Sequence, residues 1–215
     1  NAVTTKEKLL ALLEDSKGTF FSGEEIARTL QVSRAAVWKA VNALREDGYT
    51  IDATTNKGYR LSPDSDILSP QGIRRFLKPE YRNLNLTVLP TAPSTNALVR
   101  EKANQGCPEG CVIIACEQTA GRGRYGRQFF SPAGAGVYLS LLLRPTAYSP
   151  QQATCLTAAA AAAMCQAIEA VTGQQPGIKW VNDIFLRGKK VCGILTEAAV
   201  GLETGTLNYM VLGAG

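Results

Sequence analysis

Histidine is absent from these 215 residues. Without imidazole no Ser-His-Asp or Cys-His nucleophile can be assembled, and zinc loses its usual nitrogen donor. Chemistry has to run on carboxylates, lysine, arginine and bound ions. Acidic residues are missing locally too. None lies between Gln118 and Ile168, so basic side chains there have no sequence neighbour to neutralise them. No Cys-x-x-Cys spacing occurs among Cys107, Cys111, Cys116, Cys155, Cys165 and Cys192, so they read as structural thiols of a reducing cytoplasm, with no protein metal site. There is no charged-then-apolar leader, and no apolar run is expected to span a membrane. The longest candidate, Pro150 to Val171, is mostly alanine and carries Gln151, Gln152, Gln166 and Glu169. It reads as a packed soluble helix, begun by Ser149 and Pro150 and stopped by Gly173.

What is present is concentrated. The net charge of +5 is unevenly placed: residues 1–65 balance nine basic against nine acidic side chains, and residues 66–215 hold fourteen against nine. The basic half contains Gly121-Arg122-Gly123-Arg124-Tyr125-Gly126-Arg127. Glycines let a backbone turn sharply and approach a ligand, and arginines supply forked donors for carboxylate or phosphate. A solvated loop would need the arginines' charge but not the glycine alternation, so the pattern points to an anionic ligand. The same glycines spell Gly-x-Gly-x-x-Gly, the dinucleotide-binding fingerprint. That fingerprint requires a helix after the last glycine and an acid about twenty residues on. Pro132 stands where the helix would begin, and Tyr138 to Arg144 contains no acid. The Rossmann reading fails.

Residues 5–61 predict helix, helix, turn, helix and hairpin. Leu9, Leu10, Leu12 and Leu13 give the first helix, Thr5 to Asp15, an apolar side. Ser22-Gly-Glu-Glu25 is a capping box opening a helix through Ile26, Ala27 and Leu30. Ser33 caps a longer helix, Arg34 to Asp47, closed by Gly48. Two strands follow, Tyr49 to Thr54 and Tyr59 to Leu61, turning at Asn56-Lys57-Gly58. This is a winged helix-turn-helix. Val37, Ala40, Val41 and Leu44 form the inner face of its third helix. Ser33, Arg34, Lys39, Asn42 and Arg45 on that helix, with Lys57 and Arg60 on the wing, are the candidate DNA contacts. A winged helix used for protein contacts is the alternative that the neutral domain charge leaves open.

Ser62-Pro-Asp-Ser-Asp66 is the expected domain boundary. Beyond it strands outnumber helices. Strands are predicted at Leu84 to Leu89, Cys111 to Cys116, Gly136 to Leu143, Gly177 to Val181, Ile184 to Leu186 and Leu207 to Leu212. Helices are predicted at Ser69 to Leu77, Thr95 to Gln105 and Pro150 to Val171. The expectation is an α+β domain with helices on one face of a sheet. Four segments carry polar chemistry: Ser94-Thr95-Asn96 at a helix start, the glycine-arginine loop from Gln118, Lys179-Trp180-Val181-Asn182-Asp183 at a strand end, and the arm from Gly188 to Glu197. Singly, each could be an ordinary cap, strand edge or turn.

Together, in this order behind a winged helix, they resemble the bacterial bifunctional biotin protein ligases that double as biotin operon repressors. The resemblance runs over essentially the whole chain. Its most specific parts are Gly-Arg-Gly-Arg-x-Gly-Arg followed by Phe-Ser-Pro, and Lys-Trp-x-Asn-Asp. It implies a mixed-sheet catalytic domain like that of class II aminoacyl-tRNA synthetases over residues 66–215. It also implies that the catalytic domain is incomplete at Gly215, because relatives continue into an Asn-containing stretch and a small C-terminal β domain. Ser94, Thr95, Asn96, Gln118, Arg122, Gly123, Arg124 and Lys179 would bind biotin. Arg124, Arg127, Phe129, Lys179, Asn182 and Asp183 would lie at ATP and its Mg²⁺, with Arg124, Lys179 and Asp183 catalytic. Val181 stands where relatives often have proline, and Phe129 where many have tryptophan. The implied activity is biotin activation to biotinyl-5'-AMP, then transfer to a lysine of a biotin carboxyl carrier protein. The implied partners are that acceptor, operator DNA and, with the adenylate bound, a second copy of the chain. A lipoate-type ligase is the alternative on the same chemistry, against which the arginine loop speaks. A ligand-sensing regulator without catalysis is the alternative of another class.

Overall fold

A computed structural model describes residues 3–145, 152–201 and 206–215. The chain divides into two compact units, residues 1–83 and 84–215.

In the first unit, α1 (Thr5–Asp15), α2 (Gly23–Leu30) and α3 (Arg34–Glu46) precede a hairpin of β1 (Ile51–Thr54) and β2 (Gly58–Leu61). Each helix begins where a side chain satisfies an orphan amide. Thr4 and Glu7 form a full capping box on α1, Ser22 accepts from the Glu25 amide at 3.0 Å, and Ser33 accepts from the Ala36 amide at 3.2 Å. The predicted box at Ser22 is therefore seen from the serine side, and a complete one stands at Thr4. Leu9, Leu13, Ile26, Val37, Val41, Leu44 and Leu61 are fully buried in one core. Burial on that scale stabilises by about 1.5–3 kcal/mol per large apolar side chain. Gly58 has φ +91° and its absent Cβ would collide with the Phe21 carbonyl, so the wing turn admits only glycine there.

The unit boundary falls later than Ser62–Asp66. A short helix, α4 (Pro70–Arg74), packs on α1. Ser69 caps it by accepting from the Gly72 amide at 2.9 Å, and its hydroxyl lies 3.4 Å from buried Glu14. Arg75 reaches the same carboxylate at 3.8 Å. A partly desolvated carboxylate needs such partners, and this ties the segment after Asp66 to the first unit.

The second unit is a seven-stranded mixed sheet. Its strands are β3 (Asn85–Leu89), β4 (Cys111–Ala115), β5 (Tyr138–Leu143), β6 (Gly177–Lys179), β7 (Asp183–Leu186), β8 (Lys189–Val200) and β9 (Leu207–Ala214). They lie in the order β3-β4-β5-β9-β8-β7-β6, with β3 and β4 parallel and the other neighbours antiparallel. Two helices, α5 (Thr95–Asn104) and α6 (Ala153–Thr172), cover it.

They do not share a face, which corrects the expectation. Side chains alternate across a strand. Leu142 and Val211, paired partners one register step from Leu141 and Leu212, pack with Val99 of α5. Leu139 and its partner Ala214 are of the other parity and pack with Ala161 of α6. Thr157 of α6 also bonds Thr196 of β8 at 2.8 Å, while Asn96 of α5 reaches Glu197. The site lies where the start of α5 meets the first half of β8 and the end of β9.

The end of α6 is as predicted, with Gly173 in the left-handed region. The predicted start at Ser149 and Pro150 lies outside the described residues. Cys155–Thr172 is long and apolar enough to cross a membrane by length and composition, contrary to expectation, because the alanines outweigh one glutamate. Its Ala161 is fully buried against the sheet. All six cysteines are free thiols.

Candidate functional site

The largest convergence of predicted residues is a cleft of about 480 Å³, open mouth included, in the second unit. Its floor is the first turn of α5. Ser94 caps the helix, and Ser94, Thr95 and Asn96 are all buried. Buried polar atoms must be paired, and these are. The Thr95 amide donates to Gln118 Oε1 at 2.8 Å. Ser131 donates to the Phe129 carbonyl at 3.1 Å, so its one proton is used and it accepts from Gln118 Nε2 at 3.0 Å. The Gln118 carbonyl oxygen is thereby fixed toward α5.

The glycine-arginine loop forms one wall. Gly121 has no room for a Cβ, which would meet the Phe129 carbonyl and the Ser131 hydroxyl. A tight turn follows, closed by the Gly123 amide donating to the Arg127 carbonyl at 2.7 Å. Arg122, Gly123 and Arg124 line the cleft. Arg124 donates to Asn182 Oδ1 at 2.9 Å, so the loop is latched to the β6–β7 turn. Arg127 is exposed and does not line the cleft.

The opposite wall comes from β7, β8 and β9. Asn182 donates to Asp183 Oδ1 at 3.1 Å, and Asp183 Oδ1 is 2.8 Å from the Lys190 ammonium. Phe129 lies over Gly193 and Gly215, where an added Cβ would come within 3.0 and 3.1 Å of its ring. Tyr138 meets that ring edge-on at a centroid distance of 6.5 Å, and burial pushes the Tyr138 hydroxyl above its ordinary range. Burial likewise raises the Cys192 thiol behind the cleft, leaving it an inert neighbour at neutral pH.

Two predicted residues are not brought in, Arg127 and Lys179. Lys179 projects from exposed β6 with its ammonium 5.7 Å from the Phe185 ring centroid, and it does not line the cleft. The lysine that does is Lys190. Its signal was available, since it lies on the Gly188–Glu197 arm three residues before the close-approach Gly193. The arm's fold-back, not its composition, decides which lysine arrives. Gly213 was also missed; a Cβ there would run into the Asn96 amide.

Arg122, Arg124 and Lys190 against a single Asp183 leave the mouth cationic, while the floor is neutral and hydrogen-bonding. Such a cleft takes a small molecule with a polar, uncharged head and an anionic tail.

In the first unit, a second surface groove is lined by Arg34, Trp38 and the wing residues Ala53 to Asn56. Lys39 is exposed beside it and Asn42 is half-buried. Trp38, one helical turn after Arg34 and 58% exposed, was overlooked. Two predicted contacts are committed elsewhere. Arg45 donates twice to the Ile51 carbonyl, at 3.1 and 2.7 Å. Arg60 pairs with Asp52 at 2.8 Å and stacks 4.7 Å from the Phe20 ring centroid. Lys57 is 5.9 Å from that centroid, and Ser33 is used as the α3 cap.

Residues 88–215 match the Biotin/lipoate A/B protein ligase family, and residues 5–60 match a helix-turn-helix domain. The chain is 41% identical over 99% of its length to the Bifunctional ligase/repressor BirA of Bacillus spizizenii, covering 64% of that protein. It is 35% identical to the protein of that name from Escherichia coli, covering 63% of it. The chain thus spans just under two thirds of these relatives. A solved structure of the Aquifex aeolicus biotin protein ligase in complex with biotin and ATP aligns at 28% identity over 60% of this chain and 50% of that one, with a TM-score of 0.48.

Proposed function

Since the chain belongs to the Biotin/lipoate A/B protein ligase family, we propose that it activates biotin with ATP and transfers it to a lysine of a biotin carboxyl carrier domain. The observation that carries this reading is the pairing of a neutral hydrogen-bonding floor (Thr95, Gln118) with a cationic mouth (Arg122, Arg124, Lys190) in one cleft. A ureido head suits the floor and a carboxylate tail suits the mouth. Lipoate has no N–H head for that floor, which favours biotin.

A carboxylate is already ionised at neutral pH, so its oxygen attacks the α-phosphorus without a general base and pyrophosphate leaves. Catalysis is then positioning and charge stabilisation. Lys190 and Arg124 hold the carboxylate and phosphate oxygens, Arg122 closes over the tail, and Phe129 offers the nucleotide base a stacking surface. Lys179 and Arg127 serve the outer part of the nucleotide site. In the second step an acceptor amine attacks the acyl carbon and AMP leaves. That lysine starts near its reference pKa of about 10.4 and must lose a proton. Asp183, whose Oδ1 positions Lys190, is assigned to take it through Oδ2.

Among the described residues no group of three or more His, Cys, Asp or Glu side chains could hold a metal. Asn182 and Asp183, which line the cleft, would supply oxygen ligands to a Mg²⁺ ion accompanying the nucleotide, and that ion would neutralise phosphate charge.

The first unit is assigned to operator DNA. With Arg45 and Arg60 committed within the unit, few free cations remain, and salt-dependent affinity follows the number of phosphate contacts. Two copies on one duplex would supply what a single copy lacks. We therefore assign tight binding to a homodimer formed with biotinyl-5'-AMP bound.

The deciding experiment incubates the chain with ATP, Mg²⁺ and either biotin or lipoate, and looks for the acyl-adenylate by mass spectrometry. Biotinyl-5'-AMP alone is expected. Lipoyl-5'-AMP in equal yield would move the assignment to the lipoate branch, and retention of biotin with no adenylate from either acid would favour a sensor.

A further inference from the structure

From the cleft floor, lined by Thr95, Asn96 and Gln118, a chain of polar contacts runs back to Ser140 and Glu197, two residues outside the lining that no step above uses. Asn96 Nδ2 lies 2.8 Å from Glu197 Oε2 and 3.4 Å from the Leu195 carbonyl. Both partners accept only, so the nitrogen must face them. Asn96 Oδ1 then faces Ser140 Oγ at 2.6 Å, and Ser140 must donate to it. Ser140 is fully buried and has one proton, now used. Its oxygen is also 2.7 Å from Thr95 Oγ1, which is too close for two oxygens with no proton between them. The Thr95 proton therefore goes to Ser140. That leaves Thr95 Oγ1 and Gln118 Oε1, 3.1 Å apart, as two acceptors facing each other across the cleft floor.

From this count we infer that Glu197 is a positioning residue that sets the polarity of the binding floor, making it accept an N–H from the ligand rather than offer a proton to it. Its effect passes through Asn96, Ser140 and Thr95 without contact with the ligand. Arg100, 3.2 Å from Glu197 Oε1, holds the carboxylate in place but does not set the polarity, because a carboxylate accepts with or without it. The inference rests on the biotin reading, in which a ureido N–H fills the gap between Thr95 and Gln118.

A neutral isostere should undo the device. In Glu197→Gln the new amide can donate to Asn96 Oδ1, so Asn96 can turn over. Ser140 then donates to Thr95, and the Thr95 proton is released toward the cleft. Ser140→Ala reaches the same end by removing the relay.

The test is calorimetric binding of biotin and of two cyclic carbamates, in each of which one ureido N–H is replaced by an ether oxygen. The unmodified chain is expected to bind at least one carbamate about tenfold more weakly than biotin, the value of one hydrogen bond lost at a buried site. In Glu197→Gln and Ser140→Ala that ratio should shrink below about threefold. In Arg100→Gln biotin and carbamate should weaken together with the ratio kept. Retention of the full ratio in either folded variant overturns the inference, as does an unmodified chain that binds both carbamates as tightly as biotin. Should Glu197→Gln fail to fold, Ser140→Ala decides. An unmodified chain that binds no biotin at all overturns the reading beneath, and the inference with it.

Discussion

Replacing Lys190 by alanine separates the structural assignment from the one that the sequence favoured. The Lys190 ammonium lies 2.8 Å from Asp183 Oδ1, with side chains 42% and 25% exposed. At that exposure an ion pair contributes no more than about 1 kcal/mol, and Asp183 keeps its contact with Asn182. The variant should therefore fold with a melting temperature within a few degrees of the parent. Ligand binding should suffer more. A charge-assisted hydrogen bond to a carboxylate is worth about 1.5–3 kcal/mol, or about 10- to 150-fold in Kd. Calorimetry with biotin should show that loss, while biotinamide, whose tail is neutral, should bind parent and variant within about threefold. Lys179→Ala should leave biotin affinity within the same margin, since its ammonium rests over Phe185 outside the cleft. A large loss in Lys179→Ala with none in Lys190→Ala would refute the placement of the tail at Lys190. An equal loss for biotin and biotinamide would mean that Lys190 acts on the fold and not on the charge.

Gly213→Ala would drive a methyl group into the Asn96 amide. Overpacking of this kind costs about 1–3 kcal/mol, which should appear as a lowered melting temperature together with weakened biotin binding. Arg34→Ala should weaken DNA binding in a salt-dependent manner and leave thermal stability unchanged, whereas Arg45→Ala, losing two bonds to the Ile51 carbonyl, should lower stability first; filter-binding at two salt concentrations and a melting curve distinguish them. Alkylation followed by mass spectrometry should find exposed Cys155 modified long before Cys111 and Cys192. Burial and the neighbouring Cys107 push Cys111 up to about 11, so at pH 8 its thiolate fraction is about 0.001, some two hundred times below that of an ordinary cysteine. Its labelling should accelerate steeply as the pH rises toward 11.

The winged helix is legible in the sequence because its signals are local. Leucines at helical spacing, Ser22 and Ser33 as caps, and glycines at Gly48 and Gly58 act within a few residues of themselves. The resulting helices α2 and α3 and the wing lie within one or two residues of where those signals put them. The glycine-arginine loop is legible for the same reason: three glycines among three arginines imply a close approach to an anion whatever surrounds them. Lys179 and Lys190 are not separable in this way. Both are strand lysines near a turn, and only the return of β8 along β7, which sets Lys190 beside Asp183, brings one of them to the cleft. Arg45 and Arg60 likewise look outward on a helical wheel and a hairpin, yet each finds a partner on a different element. The faces taken by α5 and α6 follow from strand parity across five elements, which no short window contains. The polar chain from Glu197 to Thr95 joins residues some hundred positions apart, so its proton count exists only once α5, β5 and β8 are in contact. Local propensity and capping act over a turn or two, whereas convergence of charge depends on which strands become neighbours, and that belongs to the tertiary structure.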